Sequence, residues 1–133
     1  MVSHYLIFNR NCQEALELYS KAFNAEITEI KKYGDVPNPG FQVPENDKNL
    51  VLHARLKLGD IEIMCADSEE RFQPGTNMYI SVTTKDLDLV KNAWNLLKQD
   101  AEIYMELEPS FFAELHGSLR DRFGINWMFT VLK

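Results

Sequence analysis

A chain of 133 residues has the length of one domain, and an apolar content of 45% is enough to bury a sizeable core. Fourteen basic residues against twenty acidic ones leave a net charge of −6. That charge repels a phosphate backbone, and no basic stripe with interleaved aromatics overrules it, so nucleic acid is not an expected partner.

No run approaches the roughly 20 apolar residues of a membrane span, so no membrane partner is expected. The start, Met1-Val2-Ser3-His4-Tyr5, has neither the charge nor the apolar run of a signal peptide. Cys12 and Cys65 lie far apart and in no CxxC spacing, which reads as two reduced, buried thiols and a cytoplasmic protein.

His4 to Phe8 suits a short strand. Asn9-Arg10-Asn11 breaks it, and Asn11 with Glu14 three residues on resembles a helix-start capping box. Cys12, Ala15, Leu16, Tyr19, Ala22 and Phe23 then recur at helical spacing, until Asn24-Ala25 ends the helix. A strand near Glu26 to Tyr33 follows. Gly34 to Asn49, with three prolines and two glycines, is too long for a simple turn and reads as a lid or a loose excursion.

Leu50, Leu52, Ala54, Leu56 and Leu58 alternate with Val51, His53, Arg55 and Lys57, the pattern of a half-buried strand. Gly59-Asp60 marks a tight turn, and Ile61, Ile63 and Cys65 return in alternation with Glu62, Met64 and Ala66. Past the turn-rich 67–76 stretch, Met78, Ile80 and Val82 alternate with Asn77, Tyr79 and Ser81. Thr84 or Asp86 caps a helix whose buried stripe is Val90, Ala93, Trp94 and Leu97. Strands are expected near 102–107, 118–122 and 126–132, with an aromatic-rich connection over 108–117.

Strand, helix and three strands therefore occur twice. The expected architecture is α+β: two β-α-β-β-β modules, about 1–68 and 75–133, in a single domain 1–133. Strand parity puts Leu52, Leu56, Ile61, Ile63, Ile80, Val82, Trp127 and Phe129 under the helices. The opposite set, His53, Arg55, Glu62, Met64, Asn77, Tyr79, Asn126 and Met128, faces the concave side and forms the candidate ligand-binding surface. His53 and Arg55, two residues apart, suit an anionic or phenolic ligand with Glu62 as a base across the hairpin; a structural Arg55–Glu62 ion pair is the alternative. No nucleophile elbow, P-loop or telling Cys–His spacing occurs.

Three blocks resemble the PhnB-like branch of the vicinal oxygen chelate (glyoxalase, bleomycin-resistance and dioxygenase) superfamily. They are Tyr5-Leu6-Ile7-Phe8-Asn9 with Ala15-Leu16-Glu17-Leu18-Tyr19, His53-Ala54-Arg55-Leu56 with Gly59-Asp60 and Ile63-Met64, and Gly117-Ser118-Leu119-Arg120-Asp121-Arg122-Phe123-Gly124-Ile125-Asn126-Trp127. The resemblance implies sheets curled around a cavity and a homodimer, in some members with exchanged strands. It also implies four metal ligands, which fall on His4, Glu62, Asn77 and Met128. Only His4 and Glu62 have the ligand chemistry, since an Asn amide is a weak donor and a Met thioether is soft. The expectation is a small-molecule-binding protein with an incomplete metal site and no cofactor. The alternative is a metal-dependent lyase or dioxygenase using His4 and Glu62. The branch often carries a methyltransferase name, but the chain has no G-x-G turn of the nucleotide-binding methyltransferases.

Overall fold

The computed structural model describes residues 2–36, 42–68 and 73–133. The chain divides into two compact units, Met1–Phe72 and Gln73–Lys133. The first holds β1 (His4–Phe8), α1 (Cys12–Phe23), β2 (Glu26–Lys32), β3 (Val51–Leu58) and β4 (Ile61–Asp67). The second holds β5 (Ile80–Thr84), α2 (Leu87–Leu97), β6 (Glu102–Glu108), β7 (Leu115–Arg120) and β8 (Asn126–Val131). The sheet orders are β1-β4-β3-β2 and β5-β8-β7-β6, so the second unit repeats the first strand for strand. In each, the first and last strands run parallel and the other pairs antiparallel. The α+β fold of two β-α-β-β-β modules is present, with open four-stranded sheets in place of a closed barrel.

In the first unit α1 packs on β2, β3 and β4. Cys12, Ala15, Leu16, Tyr19 and Ala22 are buried on its inner stripe, against Phe8, Ala54, Leu56, Ile63 and Cys65. The helix start differs from the expected capping box. Asn11 makes no side-chain cap bond, and its Oδ1 is buried without a partner among the described residues. The cap arrives from across the sheet: Asp67, 6% exposed, accepts from Cys12 N at 2.9 Å and Val51 N at 2.8 Å. A carboxylate serves better than an amide here, because it satisfies two buried donors and complements the helix dipole. Asn24 closes the helix in the left-handed conformation, φ 50°.

The β3–β4 hairpin turns on Gly59-Asp60, with Gly59 at φ +59°. Two expected core residues of this hairpin are not core. Leu52 is only half-buried while Val51 is fully buried, because Lys31 pairs with His53 but Lys32 with Val51. That extra residue is a β-bulge, which reverses the alternation. Ile61, 42% exposed, is the first residue after the tight turn. The ends of the 34–49 loop are tied down by Gly34 N to Lys48 O at 2.9 Å and by an Arg10–Asp47 ion pair at 2.7 Å; residues 37–41 of the expected lid lie outside the described residues.

In the second unit Asp86 caps α2, accepting from Leu89 N at 3.0 Å, and Val90, Ala93, Trp94 and Leu97 are buried as expected. Trp127, Phe129 and Val131 supply the facing core. Ile80 and Val82 are only half-buried, since β5 is an edge strand. The strand expected over 77–82 begins at Ile80, and that expected over 118–122 begins at Leu115. Asp121 explains the second shift. It accepts from Phe123 N, Ile125 N and Trp127 Nε1 at 2.9–3.0 Å, which organises a tight β7–β8 connection where a continued strand was expected.

Candidate functional site

Each sheet has one face under its helix and one free of it, and the free faces carry most of the candidate residues. On the first, register aligns Tyr5 with Met64, Met64 with Arg55, and Arg55 with Glu29. Four strands thus place one row of side chains on the open face. Glu62 lies opposite Lys57 and His53 opposite Lys31 on the same face. Tyr5 Oη and His53 Nδ1 are hydrogen-bonded at 3.0 Å, their rings tilted with centroids 5.8 Å apart.

Arg55 is gripped from both sides. Its Nη1 donates to Glu62 Oε1 at 2.7 Å, and its Nε lies 3.1 Å from Glu29 Oε2, an ion-pair contact without hydrogen-bond alignment. The cross-strand ion pair is therefore present. The Glu62 hydrogen bond, ahead of its charge, holds the guanidinium above its ordinary value. Burial pushes the Tyr5 phenol up, with smaller contributions from Cys65, Cys12 and Tyr33. Tyr5 is thus a neutral hydroxyl at physiological pH.

His4 and Glu62 are not brought together. His4 aligns with Ile63, whose side chain is buried under α1 at 1% exposure, and alternation sends Glu62 to the other face. The β1 residue that shares a face with Glu62 is Tyr5. Counting back by twos from the buried Phe8 reaches Leu6 and His4, so parity already held this signal.

On the free face of the second unit, Met128 aligns with Ser81 and Ser118, and Thr130 with His116. His116 Nδ1 and Thr130 Oγ1 are 3.0 Å apart. Tyr79 and Tyr104 meet edge to face at 6.0 Å. Asn126, grouped with the ligand-facing residues, is 7% exposed: it accepts from Tyr104 Oη and donates to Gly75 O and Met78 O. It clamps the approach to β5 and has no N–H left for a ligand. Asn77 is exposed ahead of β5, while Met128 is half-buried within β8.

Residues 1–130 match the profile of the family described as 3-demethylubiquinone-9 3-methyltransferase. The chain belongs to this family. Two solved structures are similar throughout: protein PA1353 from Pseudomonas aeruginosa, 29% identical, TM-score 0.83, covering 98% of this chain and 96% of that one, and a PhnB protein from Bacillus cereus named as a putative member of the same family, 28% identical, TM-score 0.77, covering 97% of each. A fosfomycin resistance protein, FosX, from Listeria monocytogenes shares the fold at 12% identity and TM-score 0.68, covering 100% of this chain and 93% of that one; it was solved with Mn(II) and a dihydroxypropylphosphonic acid. The family thus sits within the vicinal oxygen chelate fold.

The residues present do not fit the groups that these likenesses imply. Among the described residues no cluster of three or more His, Cys, Asp or Glu is placed to hold a metal ion, and His4 and Glu62 occupy opposite faces. For the methyl donor of the family's name, neither sheet is the doubly wound parallel type, whose glycine turn and helix N-terminus receive a nucleotide. No helix of the described residues is long and apolar enough to cross a membrane.

Proposed function

We propose that this PhnB-like glyoxalase-fold protein binds a small molecule on the open face of its first unit, around Tyr5, His53, Arg55, Glu62 and Met64, without a metal ion between His4 and Glu62. The observation that carries the reading is the Tyr5–His53 hydrogen bond. It fills the place on β1 that shares a face with Glu62 with a neutral phenol whose partner is already supplied within the sheet. A half-exposed polar cluster beside a half-buried Met is a surface that orients a ligand and covers part of its apolar body. The test maps small-molecule binding by amide chemical shifts in chelator-treated protein; binding that appears only with added metal supports the lyase or dioxygenase reading in its place.

We propose further that the protein is a cytoplasmic homodimer. Free buried thiols at Cys12 and Cys65 suit a reducing compartment. The exposed pair Phe111 and Phe112, at 94% and 50%, suits burial against a second copy.

A further inference from the structure

We infer that the ligand of this face carries a carboxylate, received by His53 Nε2–H and by the outer N–H groups of Arg55; the inference rests on the binding site proposed above and names its ligand class. A phenol is a better donor than a neutral imidazole, and an imidazole nitrogen a better acceptor than a phenol oxygen. The 3.0 Å contact is therefore assigned as Tyr5 O–H donating to His53 Nδ1. With Nδ1 accepting, the ring N–H left to offer is at Nε2, which has no partner among the described residues.

Arg55 stands two residues along the same strand face, since the pairings Lys31–His53, Ile30–Ala54 and Glu29–Arg55 run without a shift. Its guanidinium has five N–H groups. Glu62 takes one on Nη1 and Glu29 lies against Nε, so the fork is held from two sides while Nη2 has no partner among the described residues. A guanidinium fixed in this way is preorganised for the paired oxygens of a planar carboxylate.

Local charge does not oppose such a ligand. Lys31 neutralises Glu29 at 3.4 Å, and Lys57 stands between Glu62 and Glu26 in the register. Three cations balance three carboxylates around the seat. Met64, half-buried between Tyr5 and Arg55, offers the apolar wall for the rest of the molecule. The chemical class is thus a small carboxylic acid with an apolar body.

Amide-shift titrations of the metal-free protein with benzoate and phenylacetate, each against its neutral amide, test this. We expect both acids to shift Tyr5, His53, Arg55 and Met64, the amides to bind at least about tenfold more weakly, and Arg55→Gln to remove that difference. Arg55 is on the surface, so the variant should keep its fold; Arg55→Lys, which keeps charge without the fork, should recover only part of the preference. Amides that bind this face as tightly as the acids, or an unchanged preference in Arg55→Gln, overturn the carboxylate assignment and leave the binding site standing. No shift on this face with any of the four probes overturns both.

Discussion

His53 and Arg55 show why a residue's neighbours decide its chemistry. From the sequence they are two polar side chains on one strand face; in the fold one is a ring hydrogen-bonded to Tyr5, the other a guanidinium held by Glu29 and Glu62. These ion pairs are more than a third exposed, so their value lies in orientation more than in stability. Cys12 is the opposite case. Both thiols are buried, and the Cys65 hydrogen bond, followed by burial, pushes the Cys12 thiol far above its ordinary 9.0. The unfolded chain releases that proton first as pH rises through 9.0, so the folded state binds more protons there and loses stability. The wild-type melting temperature should therefore fall between pH 8 and 10, and fall less steeply in Cys12→Ser. Parallel pH profiles for the two proteins would contradict the buried-thiol account.

At the scale of elements, the two helices were legible from their apolar periodicity, and their caps only half so. Asp86 caps α2 from the adjacent position, which sequence can show. Asp67 caps α1 from a strand end 55 residues away in the chain, which only the β1–β4 pairing brings near. Urea unfolding separates the three candidates. Asp67→Ala strands two buried backbone donors and should cost about 3–5 kcal/mol. Asp86→Ala should cost about 1 kcal/mol, and Asn11→Ala within about 0.5 kcal/mol of nothing. A large loss in Asn11→Ala would return the cap to the local sequence.

The same distinction explains the strands. Regular alternation identified Leu56, Ile63, Trp127 and Phe129 as core, and they are. It missed Leu52 because a bulge is a property of two strands in register, which one strand's pattern does not contain. His4 shows a different contrast: the motif count set it beside Glu62, whereas parity from Phe8 puts it on the opposite face and Tyr5 on the shared one.

For the whole molecule, the doubled element order was readable and the doubled sheet order β1-β4-β3-β2 and β5-β8-β7-β6 follows it. The two repeats differ in chemistry more than in form. The first unit's free face carries the balanced cluster around Arg55, whereas in the second Asn126 is consumed as a structural clamp. The proposed pairing of chains through Phe111 and Phe112 predicts the mass of two chains in sedimentation equilibrium, shifting toward one in a Phe111→Ser, Phe112→Ser double variant. A single-chain mass for the wild type would contradict it.

The most direct measurement is amide-shift mapping of a small-molecule panel on chelator-treated protein, repeated after adding manganese, zinc, nickel or iron(II), with wild type, His4→Ala and Tyr5→Phe side by side. Binding at Tyr5, His53, Arg55 and Met64 without metal, unchanged in His4→Ala and weakened in Tyr5→Phe, is the predicted result. Binding that requires a metal and disappears in His4→Ala would contradict the account and return the protein to the metal-dependent enzymes of its fold.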